Sequence, residues 1–199
     1  MRMLIVAIKI TIVLTVLTGL IYPIAMVGLA RVMFPAQAQG SLIVRDGKVV
    51  GSSLIGQNFS KPGYFHSRPS AAGDKGYDAT ASGGSNLGPT NKALVEAVKS
   101  RLKGVLEENP GLTPAQVPID LVTTSGSGLD PEISPAAADV QVARVSKARG
   151  IGEDQVRKLV EQSTRGRYLG ILGEPGVNVV GLNTALDAAA PMARQASSR

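Results

Sequence analysis

Residues 10–30 read ITIVLTVLTGLIYPIAMVGLA, 21 residues without a charge, and only Lys9 separates this run from the apolar stretch that begins at Leu4. At about 1.5 Å per helical residue the run extends roughly 30 Å, the thickness of a bilayer's hydrocarbon core. It predicts one transmembrane helix with a core at residues 10–30, behind a short N-terminus at 1–9. After a linker at 31–40 the chain turns polar and mixed, without a second such segment. One helix cannot enclose a pathway through lipid, so any part in transport is that of a subunit in something larger.

A cleaved secretory signal is the rival reading, because Arg2 and Lys9 make a basic start and Ala36-Gln37-Ala38 resembles a cleavage site. The apolar run exceeds the roughly 7–15 residues of a signal core, and Arg31 stands between it and that site. The retained anchor is therefore expected. A long folded domain translocates largely regardless of its charge, so the short basic N-terminus is placed in the cytoplasm and the domain outside. In a Gram-negative cell that means an inner-membrane protein with a periplasmic domain. Thr11, Thr15, Thr18, Gly19 and Tyr22 recur at helical spacing as a stripe of small or hydroxylated side chains, which would let a partner helix approach closely. Bonding of each Thr to its own backbone is the plainer alternative. Pro23 removes a backbone donor and predicts a kink near the outer end.

Residues 41–199 hold 18 Lys and Arg against 15 Asp and Glu, and no basic cluster is interleaved with aromatics. A nucleic-acid surface is not expected. With no Trp and three Phe in the chain, the core must be mostly Val, Leu, Ile and Ala. The element order predicts a single small α/β domain over 41–187, followed by a flexible tail at 188–199. Leu42–Val44 and Lys48–Val50 around Asp46-Gly47 read as a hairpin, with Ser53–Gln57 extending the sheet. The Gly/Ser run from Gly73 to Pro89 reads as irregular. Asn91 or Thr90 caps a helix that ends before Asn109-Pro110-Gly111, and Ile119–Thr124 reads as a buried strand. Ser134-Pro135 starts a helix reaching Arg149, closed by Gly150. Glu153–Ser163 is a further helix, Tyr168–Leu172 a strand, and Asn178 caps the last helix.

No Cys is present and His66 is the single histidine, which excludes thiol catalysis and Cys/His metal sites. HExxH, GxSxG and GxxxxGK[ST] are absent, and His66 reads as a packing or surface residue beside Tyr64 and Phe65. Two Gly/Ser loops remain: Ser82, Gly83, Gly84, Ser85 and Asn86 ahead of one helix, and Ser125, Gly126, Ser127, Gly128 and Asp130 ahead of another. Loops opening onto helix N-termini present backbone N–H groups that can hold an anion, and their oxygens can line a cation's path. Neither carries a P-loop lysine. Tight turns bonded to their own backbone are the structural alternative.

Six strings carry a resemblance: TGLIYP at 18–23, GSSLIGQ at 51–57, YFHSRPSA at 64–71, SGGSNLGPTN at 82–91, DLVTTSGSGLDPEISPAAA at 120–138 and GILGEPGVNV at 170–179. In this order they resemble the C-subunit family of the Kdp potassium-transporting P-type ATPase over nearly the whole chain. The resemblance implies a non-catalytic subunit of an inner-membrane complex that hydrolyses ATP to import potassium. Its implied partners are a channel-like potassium-binding subunit and the P-type ATPase subunit, besides membrane lipid. It also implies a catalytic chaperone that raises the pump subunit's affinity for ATP. In the family the loop at Ser82–Ser85 is compared to an ABC-transporter signature, although Ala81 and Ser85 stand in place of that signature's leading Leu and closing Gln. No cofactor of the chain's own is implied; ATP enters through the complex, and potassium is the transported ion. The alternatives are an extracytoplasmic cap over the ion entrance with a structural or selectivity role, or an unrelated membrane-anchored exported binding protein.

Overall fold

The computed structural model describes residues 1–45 and 47–192; Asp46, in the expected hairpin turn, and most of the expected tail lie outside the described residues. The chain forms two compact units, residues 1–50 and 51–199.

In the first unit, α1 (Arg2–Val16), a π turn (Leu17–Ile21) and α2 (Tyr22–Met33) run on as one apolar helix of 32 residues, none of them buried. At about 1.5 Å rise it is some 48 Å long, more than a bilayer core requires. The π turn is the helix's answer to Pro23. A proline ring collides with the carbonyl four residues back, here that of Gly19, and one wider turn moves that carbonyl aside. The inserted turn also rotates Tyr22 about the axis relative to Thr11 and Thr15, so uniform 3.6-residue spacing no longer describes the expected stripe. A short helix α3 (Pro35–Ala38) and the hairpin strands β1 (Leu42–Arg45) and β2 (Lys48–Ser52) follow.

The second unit is mixed α/β. Helix α4 (Lys92–Glu108) begins where the Asn91 side chain accepts from the Ala93 N–H at 2.9 Å. Two 3₁₀ turns (Pro114–Gln116 and Ile119–Leu121) lead to β3 (Glu132–Ile133), α5 (Pro135–Asp139), α6 (Val142–Arg149) and α7 (Glu153–Gln162). Strands β4 (Thr164–Arg165) and β5 (Gly176–Asn178) and helix α8 (Val179–Ala189) complete it. The sheet is antiparallel in the order β3-β5-β4, with Ile133 opposite Val177 and Thr164 opposite Val177. Phe65, Leu121, Ile133, Val142, Val145, Val156, Val177, Leu182 and Leu186 build one buried cluster, so aliphatics dominate the core as expected. Ser134, Gly150 and Asn178 act where the sequence places them: Ser134 Oγ accepts from Ala137 N–H, Gly150 is left-handed at φ 67°, and Asn178 Oδ1 accepts from Gly181 N–H.

Four local expectations are corrected. Ile119–Thr124 is a 3₁₀ turn rather than a strand, because Pro118 opens a turn that Thr123 closes with both its N–H and hydroxyl on the Ile119 carbonyl. Ser53–Gln57 makes one bridge, Ser52 to Ile55, and no strand. The helix expected from Pro135 to Arg149 breaks at Val140–Gln141, where the backbone tightens to Gln141 N–H on Ala138 O and the Gln141 side chain turns to other work. Tyr168–Leu172 is a tight exposed turn, since Leu169 and Gly170 both adopt left-handed backbone, φ 53° and 77°.

Candidate functional site: a hub of loops

Residues 53–91 contain no helix and no strand of the sheet, yet they are ordered by side chains. Buried Asn183 on α8 grips the backbone of Phe65 at both ends, its Oδ1 accepting from Phe65 N–H and its Nδ2 donating to Phe65 O, both at 2.9 Å. Buried Gln141 does the same one residue on. Its Oε1 accepts from His66 N–H at 2.8 Å, and its Nε2 donates to His66 O at 3.3 Å and Ala137 O at 2.9 Å. Two carboxamides thus replace a strand ladder. Unpaired buried backbone groups are costly, and an amide carries both a donor and an acceptor in the spacing the backbone needs.

The two Gly/Ser loops meet. Gly83 N–H donates to Ser127 O at 2.8 Å, Ser82 Oγ donates to the same oxygen at 3.0 Å, and Gly84 packs so closely that a Cβ there would lie 3.1 Å from Gly126 O. Gly128 has φ 67°, and a Cβ would fall 2.5 Å from Gly83 O and 2.8 Å from Ala72 N. Only glycine fits that position. Ser70 sits beneath: its hydroxyl donates to Gly128 O at 2.6 Å and accepts from Ala72 N–H and Tyr77 N–H. That is the full capacity of a hydroxyl, so Ser70 is a strut rather than a nucleophile. Asp130 accepts from Glu132 N–H at 2.9 Å and pairs with Arg68 at 3.3 Å, while Arg68 also donates to Thr124 O.

The sequence-selected residues therefore divide. Ser82, Gly83, Gly84, Ser125, Gly126, Ser127, Gly128 and Asp130 come together in the hub. Asn86 lies exposed with left-handed backbone, φ 53°. The N–H groups of Gly83, Gly128, Leu129 and Glu132 are already engaged by Ser127 O, Ser125 Oγ, Ser127 Oγ and Asp130 Oδ1. The helix starts are likewise capped, by Asn91 and by Ser134, whose own N–H and hydroxyl donate to Asp120. In the apolar helix Thr18 Oγ1 donates to Leu14 O at 2.7 Å, and the space beside Gly19 is open.

Sequence reasoning did not find the cleft of about 450 Å³ between this loop region and α4. His66, Arg68, Ser70 and Tyr77 line one wall, Arg101 and Glu108 the other. His66 Nδ1 lies 3.0 Å from Glu108 Oε2, and Nε2 lies 3.3 Å from Lys61 O. Burial, with the Arg144 guanidinium beside it, lowers the imidazole below its ordinary range, against the opposing pull of Glu108. Burial also raises the Tyr77 phenol, whose hydroxyl donates to Arg68 O at 2.6 Å. Arg101 donates to Val122 O. The terminal nitrogens of Arg68 and Arg101 are thus tied to a carboxylate and carbonyls of the domain, while Arg68 Nε is buried without a hydrogen-bond partner among the described residues. The only sequence sign of it was the density of polar residues within YFHSRPSA.

A second buried anchor stands nearby. Arg149, with its side chain fully buried, pairs with Asp187 at 2.9 Å, donates to Gly63 O and Ala190 O, and lies 4.7 Å from the Tyr64 ring centre. Tyr64, whose hydroxyl donates to Asp187, is raised by burial and by that carboxylate.

Five of the six strings lie in the second unit and TGLIYP in the apolar helix, and comparison with known proteins spans both. The profile of the family described as "KdpC: K+-transporting ATPase, c chain" matches residues 4–188. This chain belongs to the KdpC family. The potassium-transporting ATPase KdpC subunit of Polaromonas naphthalenivorans (strain CJ2) is 59% identical over 180 residues, covering 90% of this chain and 91% of that one. The KdpC subunit of Rhodopseudomonas palustris (strain BisB5) is 58% identical over 193 residues, 92% and 94% of the two chains. That of Gemmatimonas aurantiaca is 56% identical over 181 residues, 91% and 90%. KdpC-family membership thus covers the apolar helix and the hub together.

Proposed function

We propose that this chain is an accessory, non-catalytic subunit of a potassium-transporting ATPase complex in the inner membrane. The helix Arg2–Met33 anchors it, residues 41–187 lie on the periplasmic side, and the chain stabilises the assembly with the channel-like and P-type subunits. The observation that carries this reading is the internal bonding of the hub: the backbone N–H groups of its two Gly/Ser loops at Gly83, Gly128 and Leu129 are engaged within the loops, which makes a packed lobe rather than an open anion cradle. The apolar helix, by contrast, has no buried residue among the described residues, as expected of a segment that meets lipid or other helices.

The family's chaperone role then acts by coupling. A lobe outside the cytoplasm raises the pump subunit's affinity for ATP by binding one of its conformations more tightly than another, which shifts the population. ATP itself does not touch this chain. The test is the KM for ATP of potassium-stimulated hydrolysis, with and without this chain. The expected result is a higher KM in its absence, restored by adding it back. An unchanged KM together with a lowered potassium affinity would favour the cap over the ion entrance. Protease added to spheroplasts should digest the domain without breaking the inner membrane; protection would refute the sidedness. Thr15→Leu with Gly19→Leu should release the chain from the complex in detergent.

A further inference from the structure

The turn at Tyr168–Leu172 is the second unit's most exposed apolar feature. Tyr168, Leu169, Ile171 and Leu172 are 68, 76, 74 and 55% exposed. A soluble surface scatters single apolar residues freely but rarely gathers several large ones at one point without a use for them. The turn is also held stiff. Tyr168 N–H donates to Leu172 O at 2.8 Å and Leu172 N–H to Tyr168 O at 2.9 Å, with Gly170 N–H on Arg167 O beneath. Leu169 is kept at φ 53°, a conformation that leucine rarely adopts and that persists only where the surroundings impose it. The side chains at the tip make no contribution to the domain's own core.

We propose that this finger is a docking element that inserts into an apolar pocket on the extracytoplasmic surface of another subunit of the complex. This rests on the membership proposed above and gives it a contact point. The charges at the base of the finger select a protein pocket over a lipid surface. Arg165 forms a two-point pair with Glu132, at 3.0 and 2.7 Å, and Arg167 forms one with Glu174, at 3.0 and 2.9 Å. A membrane-seeking tip would keep free cations for anionic headgroups. Here both arginines are already neutralised, leaving an apolar centre with a satisfied polar rim, as in protein interfaces. Four side chains are too few for a stable complex by themselves. The anchor helix supplies the remainder: about 17 residues separate Met33 from Gly51, so once the helix is bound, docking of the finger becomes an intramolecular step at high effective concentration. The finger then acts as the second of two attachment points, and rigidity at its tip cuts the ordering cost of docking.

The test uses the assembled complex purified in detergent. Leu169→Asp with Ile171→Asp should lower the amount of this chain recovered with the other subunits by about tenfold after a stringent wash, while circular dichroism and the melting profile of the purified full-length variant stay unchanged. A photoreactive benzophenone amino acid in place of Ile171 should cross-link to another subunit. Full recovery of the double variant, or cross-linking only to lipid or to a second copy of this chain, would overturn the proposal. If the unaltered chain itself fails to co-purify with an ATPase, membership in the complex has failed, not the finger alone.

Discussion

The apolar helix at residues 2–33 and the loop at residues 53–91 are comparably long segments that solve the same problem in opposite ways. In the helix the backbone pairs along the segment except at its ends and at Pro23, and among the described residues none of its side chains is buried. In the loop the backbone has no regular partners; Asn183, Gln141 and Ser127 supply them from elsewhere in the fold, and Ser70 from within the loop. The helix therefore depends on surroundings outside the chain, and the loop on tertiary structure inside it. Substitutions in the two should accordingly be read by different measurements.

The comparison breaks most directly at Gly128. Gly128→Ala adds a Cβ against the carbonyl of Gly83 in a left-handed backbone and should cost about 4 kcal/mol of unfolding free energy. Gly19→Leu, with open space around it, should leave the domain's unfolding midpoint where it was. Equal midpoints for the two variants in chemical denaturation would mean that the loops do not form a rigid hub. Next in size is Asp187→Ala, which strands the buried Arg149 guanidinium and should cost about 3 kcal/mol; a melting temperature equal to the parent's would remove Arg149 from the fold's supports. Asn183→Ala leaves both backbone groups of Phe65 without partners and should cost about 2 kcal/mol. Amide hydrogen exchange at Phe65 should speed up with it, which sharpens the contrast, because no helix residue should respond.

The smallest effect is that of pH. His66 is held below its ordinary imidazole range by burial and Arg144, so the unfolded chain takes up a proton first as pH falls. Stability attributable to His66 is complete above about pH 6.5 and declines below it, toward the lowered folded value. His66→Gln should flatten the difference in denaturation midpoint between pH 7.5 and 5.5; an unchanged slope would show that the carboxylates alone set it.

Much of the helical part was legible because its signals are local. Asn91, Ser134, Gly150 and Asn178 bond within three or four residues of themselves, so a cap can be read without knowing the fold. The misread segments lack that property. Ile119–Thr124 and Tyr168–Leu172 both carry strand-like residues, but an apolar run says only that the residues are apolar. One became a 3₁₀ turn over the core and the other an exposed finger, decided by Pro118 in the first case and by left-handed Leu169 and Gly170 in the second. The Gly/Ser loops were visible as loops, and their meeting was not: Ser82 and Ser127 are 45 residues apart, and nothing in either string specifies the other.

By itself the sequence determined that one segment is long and apolar enough to span a bilayer, where several helix caps fall, and that thiol chemistry is excluded. These follow from composition and from interactions that close over a few residues. Only the tertiary structure decided that the glycines of two distant loops are spacers for each other, that two buried carboxamides take the place of a sheet edge, and that an apolar pentapeptide points outward. Each depends on which distant groups meet. That is set by packing of the whole core rather than by any local run of residues.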